Sequence, residues 1–172
     1  MKRNYLCSLL LIITSPLATI SQYCTSAGPS YTTDSNIGSV SLMGETTNIS
    51  YTGCPGVAGT ENQTTQVADV VVGNSYSIDL VYGTCGGTYG NAAEVWIDFN
   101  GNQNFDANES IGTWAGNPTS PTINHVFTVP SNALNGTHRI RVMQQEGGVL
   151  PLDPCGAFLW GSVTDFSTTI SG

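Results

Sequence analysis

Residues 92–99 read AAEVWIDF, and no other run narrows the possible folds of this chain so far. Val95, Ile97 and Phe99 alternate with Glu94, Trp96 and Asp98, a period of two carried by β-branched and aromatic side chains. That period predicts a strand. The strand passes without a break into DFNGNQNFDANE at 98–109. Counted from Asp98 as position 1, oxygen-bearing side chains stand at positions 1, 3, 5, 7, 9 and 12: Asp98, Asn100, Asn102, Asn104, Asp106 and Glu109. This is the ligand spacing of the twelve-residue calcium loop of EF-hands. Ca2+ is a hard cation that takes about six to eight oxygens, and Glu109 offers two at once. An EF-hand needs a helix on each side, whereas here a strand leads in. The expectation is therefore an EF-like loop in an all-β protein, with calcium as a staple rather than a signal. Position 6, normally glycine, is Gln103, and asparagines at positions 3 and 5 leave three carboxylates for the ion. Low charge of that kind predicts weak affinity, as in extracellular modules. Without a metal, the same residues make a polar, Asn-rich hairpin loop.

Residues 1–21 have the form of a secretory leader: Lys2 and Arg3 at the start, an apolar run from Leu6 to Ile13, and small residues from Pro16 to Ser21. Cleavage is expected after Ser21, leaving 22–172 as a single domain that is exported to the cell surface or beyond. No other run approaches the roughly 20 apolar residues of a membrane span, so no membrane insertion is expected. Loss of Lys2 and Arg3 leaves two cations, Arg139 and Arg141, against 12 acids, a formal charge of −10 with no lysine. Such a surface has nothing to neutralise phosphates, which excludes nucleic acid and anionic lipid as partners. Of the five cysteines, Cys7 lies in the leader. The even number remaining favours disulfides, with three connectivities open.

Strand-like runs recur at Ile37–Met43, Asn48–Thr52, Val67–Val72, Ser75–Tyr82, Ala92–Phe99, Asn124–Val129, Thr137–Gln144 and Val163–Ile170. Gly73-Asn74 reads as a tight hairpin turn, and a brief helical turn is expected near Asn132–Leu134. Residues 53–66, 83–91 and 145–161 read as loops. About eight short strands without helices predict an antiparallel β-sandwich carrying the EF-hand-like calcium loop between strands.

Other residues offer further chemistry. Arg139 and Arg141 share one face of a strand, where they either pair internally with Asp165 or Glu94 or form a fork for an acidic glycan. His125 and His138 stand alone, without the spacing of a zinc protease, and nothing resembles GxSxG. No enzyme is expected. Trp96 belongs to the core, while Trp114 and Trp160 fall in expected loops and make a candidate glycan-binding pair. Sequons at Asn48, Asn62, Asn108 and Asn135 are candidate N-glycosylation sites.

QYC at 22–24, WIDFNGNQNF at 96–105, Glu109, VPSNALNGTHRIRV at 129–142, PCG at 154–156 and GSVTDF at 161–166 together resemble the GEVED domain, a module of secreted bacterial proteins. The naming motif is altered: Ser162 and Thr164 stand where the family has glutamates, so no role of those glutamates carries over. The resemblance implies a β-sandwich without catalytic activity, often appended to extracellular enzymes or adhesins. Its paired YC and CG imply a Cys24–Cys155 disulfide, which leaves Cys54–Cys85 to join two neighbouring Gly-rich loops. The expected role is a calcium-stabilised structural or adhesive module that self-associates into a fibre, surface layer or matrix, or binds a partner there. The alternative is a carbohydrate-binding protein using exposed tryptophans.

Overall fold

The computed structural model describes residues 22–172; the expected leader at 1–21, with Lys2, Arg3 and Cys7, lies outside the described residues. Ten strands form there: β1 (Gly28–Tyr31), β2 (Ser35–Met43), β3 (Asn48–Thr52), β4 (Thr60–Val71), β5 (Ser75–Thr84), β6 (Asn91–Ile97), β7 (Ser110–Gly116), β8 (Ile123–Thr128), β9 (Gly136–Glu146) and β10 (Ala157–Ser171). One sheet has the order β3-β2-β5-β8, and the other β1-β10-β9-β6-β7 with β4 also paired to β10. The chain is an all-β sandwich; its one helical element among the described residues is a 3-10 turn at Ala107–Glu109.

The sandwich differs from a purely antiparallel one. β10 takes β9 antiparallel along one edge, while its other edge pairs in parallel with β1 and then with β4. Parallel neighbours are joined by crossovers rather than hairpins, so local turn signals do not reveal them. Two strands add to the expected eight, β1 and β7, and β4 begins at Thr60 within a stretch that reads as loop. Gly73 takes a φ of 83°, and Asn74 N–H donates to Val71 O at 3.1 Å, so the turn is tight. It joins β4 to β5 across the two sheets, however, and is a corner rather than a hairpin.

The main core lies between the sheets and includes Val40 and Leu42 of β2, Ile78 and Leu80 of β5, Val95 and Ile97 of β6, Ile140 and Val142 of β9, and Phe166 of β10. A second cluster covers the opposite face of the larger sheet: Ala92, Trp96, Met143 and Val163 pack under Ala27, Phe105 and Leu152. Every residue of β6 is therefore buried. Its alternating polar positions do not face water, and Glu94 and Asp98, on the outer face, are buried under this second layer. Disulfides Cys24–Cys155 and Cys54–Cys85 fasten that layer and the loops after β3 and β5.

Candidate metal centre

Asp98 follows directly on β6 and is completely buried. Its Oδ1 accepts Gly101 N–H at 2.7 Å; its Oδ2 accepts Gln103 N–H at 3.1 Å and the Tyr23 hydroxyl. These bonds curl residues 98–103 around one carboxylate. Gly101 and Gln103 take φ values of 68° and 63°. Gln103 thus makes the left-handed turn at position 6 itself, a conformation uncommon outside glycine.

Glu109 ends the 3-10 turn and reaches back beneath the loop. Its Oε1 accepts Phe99 N–H at 2.9 Å and Asn100 N–H at 3.1 Å, and its Oε2 accepts Asp106 N–H at 3.0 Å. Burial pushes its carboxyl above the usual carboxylate range, the backbone N–H groups of Asp106 and Asn100 pull it down, and the charges of Asp98 and Asp106 push it up again. Burial, followed by the bond to Asp98, likewise raises the Tyr23 phenol.

Above this floor, Asp106 Oδ2 accepts the Nδ2 groups of both Asn100 and Asn102 at 2.9 Å. Asn100 Oδ1 accepts Asn102 N–H, and Asn102 Oδ1 accepts Asn104 N–H, each at 2.8 Å. Five of the six expected ligands are thereby brought together, while the Asn104 side chain turns to Asn102 O at 3.4 Å. A half-turn of either carboxamide presents Oδ1 towards Asp106 and loses the bond that this oxygen accepts from the backbone. Chemically the loop is a ring of oxygens held partly closed by its own amides. Among the described residues no group of three or more His, Cys, Asp or Glu side chains is disposed to hold a metal ion; half of this donor set is carboxamide.

Behind the loop, Arg139 donates to Asp165 at 3.0 Å, and Arg141 grips the same carboxylate through Nε at 2.7 Å and NH2 at 2.8 Å. The remaining Arg141 donors reach Pro154 O at 2.7 Å, Cys24 O at 2.9 Å and Cys24 Sγ at 3.0 Å. Its guanidinium lies 4.7 Å over the Phe105 ring, and that of Arg139 lies 4.5 Å over Tyr23. Glu94 takes no part in these pairs: it accepts Ser110 Oγ at 2.6 Å and Leu152 N–H at 2.8 Å. Sequence reasoning missed Tyr23, Phe105 and Pro154 as members of this cluster. Their signal was their place in the QYC, WIDFNGNQNF and PCG stretches that carry the family resemblance.

Trp114 lies in β7 rather than a loop and stacks on Tyr82 with ring centroids 4.8 Å apart, half-buried against the core. Trp160, in β10, is exposed, and its partner is Tyr31 at 5.8 Å. His138 bonds Leu134 O at 2.7 Å, and His125 lies 3.5 Å from the Tyr82 hydroxyl. The sequon asparagines Asn48, Asn62, Asn108 and Asn135 are all exposed.

Residues 92–169 match the family model of the GEVED domain. This stretch is a GEVED domain. It runs from β6 through the 98–109 loop, β7, β8 and β9 into β10, and so contains Arg139, Arg141 and Asp165 together. Strands β1–β5 precede the matched span. In this GEVED domain, Asp165 is the acid retained from the naming motif, and its partners are the two arginines. No curated protein matches the chain.

Proposed function

We propose that this protein is a non-catalytic, exported module, stapled by Ca2+ at residues 98–109, that serves as a structural or adhesive component of an extracellular surface, fibre or matrix. One observation carries the reading. Asn100, Asn102 and Asp106 converge above the buried carboxylates of Asp98 and Glu109, with no arginine among the described residues bonded to any of them. A buried acidic loop without a cation of its own is stabilised by one from solution. Two disulfides suit an oxidising, extracellular setting. Binding confined to the folded loop stabilises by mass action. Millimolar calcium is therefore expected to raise the melting temperature relative to chelator, Asp98→Ala to remove most of that rise, and Glu109→Ala to weaken it. A melting temperature indifferent to calcium overturns the reading.

A second reading is favoured by the exposed Tyr31–Trp160 stack, which offers aromatic faces to a saccharide. Both arginines are engaged with Asp165, so the ligand on this reading is a neutral glycan. Affinity electrophoresis through neutral polysaccharides, with Trp160→Ala as the control, tests it.

A further inference from the structure

The two sides of the sandwich end differently. On one side β3 and β4 lie together, and Gln66 Oε1 of β4 accepts Ser50 N–H of β3 at 3.0 Å, so that edge is capped. On the other side β8 and β7 are the last strands of their sheets. They meet through side chains, with the His125 ring against Gly112, and no backbone bond joins them among the described residues. β8 therefore presents a row of backbone N–H and C=O groups with no described strand beside it, the arrangement that templates pairing with another strand.

β8 lacks the usual protections of such an edge. Its six residues, INHVFT, include no Asp, Glu, Lys, Arg or Pro, and its register with β5 runs from Ser75–Thr128 to Leu80–Ile123 without a bulge. β7, by contrast, is bulged against β6 and holds two glycines. On the outer face of β8, Asn124 Nδ2 donates to Asp79 Oδ1 at 2.6 Å, and the Thr128 and Ser75 hydroxyls bond at 2.7 Å, so both side chains are engaged within the protein. Val126 stands between them, 68% exposed. Charge and pattern point to the occupant. A chain with 12 acids repels its own copies where acids meet, and β8 is an edge that carries none. Its outer face, Asn-Val-Thr at alternate positions, is complementary to itself when reversed.

We propose that β8 pairs antiparallel with β8 of a second copy about a two-fold axis at Val126, so that the sheet β3-β2-β5-β8 continues across the dimer. An isologous contact of this kind sets Val126 against Val126 of the partner subunit and Asn124 against Thr128 of the partner subunit on the outer face. This rests on the reading of the protein as a self-associating structural component, and names the edge through which two copies join.

Sedimentation of wild type and Val126→Glu, in calcium and in chelator, tests the pairing. Val126 is exposed, so Val126→Glu is expected to keep the wild-type melting temperature, while two like charges on the axis weaken dimerisation by roughly tenfold or more. A second measurement uses Val126→Cys, since the four described cysteines are all held in disulfides. Mild oxidation is expected to trap it as a covalent dimer far faster than Met43→Cys, whose site is 65% exposed on β2, away from the edge. Equal trapping of the two, or wild-type association that Val126→Glu leaves unchanged, overturns the role of β8 and leaves self-assembly intact. A wild type that is monomeric at every concentration overturns both.

Discussion

Arg141 sits where the N-terminal segment, the loop before β10, and the strands β9 and β10 meet, and its five hydrogen bonds join all of them. A guanidinium has five N–H donors in a fixed planar fork; here each has a partner, and the side chain is completely buried. Arg141→Met leaves the buried Asp165 without its bidentate partner, and loss of one member of a buried pair costs about 3–5 kcal/mol. Arg141→Lys is expected to recover only part of this, because an ammonium cannot fork. Urea unfolding of the three proteins checks the order. His125 gives a pH dependence. Burial holds its imidazole below the ordinary histidine value, so the folded state binds its proton less readily than the unfolded chain does. The stability it contributes is complete above about pH 6.5 and is lost as pH falls below that value. Melting temperature is expected to drop between pH 7 and pH 5, and to drop less in His125→Gln.

Among the elements, the two disulfides close very different lengths of chain, with sequence separations of 131 and 31. Loop-closure entropy assigns about 5 kcal/mol to the first and about 4 kcal/mol to the second. The first also holds Cys24 against Arg141, so Cys24→Ser with Cys155→Ser is expected to destabilise by more than this difference alone, measured against the Cys54→Ser, Cys85→Ser protein by urea unfolding. Contact between β7 and β8 has its own sensitive point. A Cβ on Gly112 would fall 2.3 Å from the His125 ring, so Gly112→Ala must displace that ring at a cost of about 1–3 kcal/mol, read in the same assay. β4 shows why polar sequence and strand are compatible: Thr60–Asn62 pair in parallel with Val163–Asp165 of β10, the register breaks over the next four residues and resumes at Val67, and none of the side chains from Thr60 to Gln66 is fully buried.

At the scale of the whole molecule, charge sets the behaviour. Arg139 and Arg141, the two arginines among the described residues, are both paired to Asp165, so the acidic charge is not offset at the surface. One sheet edge is blunted without charge: Gln66 Oε1 accepts Ser50 N–H of β3 at 3.0 Å. Charged edge residues, the usual defence against strand association, are sparse in this composition. Repulsion between like charges opposes association at low ionic strength, and on the calcium reading proposed above the ion would neutralise loop carboxylates. Association of the purified protein is therefore expected to rise with calcium and to persist on dilution, as sedimentation across a calcium titration would show. A monomer at every calcium concentration would favour the glycan reading over self-assembly.

Sequence by itself determined what depends on neighbours along the chain. The period-two runs marked eight of the ten strands, because a pleated backbone turns alternate side chains to opposite faces. The spacing of oxygens marked the 98–109 loop, and Arg139 and Arg141, two residues apart, marked a shared face. Only the tertiary structure decided what those positions meet. β1 is four residues of Gly-Pro-Ser-Tyr, and it becomes a strand because β10 provides a parallel partner 129 residues later at Gly28–Ala157. β7 carries two glycines and a half-exposed tryptophan, a pattern without clear alternation, yet β6 pairs with it throughout. The face of β6 that carries Glu94 and Trp96 is buried, since the segment from Tyr23 to Ala27 and the chain around Leu152 fold over it. Trp114 and Trp160 looked alike in sequence; the packing of Tyr82 encloses one, and the sheet edge exposes the other. Local pattern fixes backbone conformation through short-range sterics, whereas burial depends on contacts between residues far apart in the chain, and no local period records them.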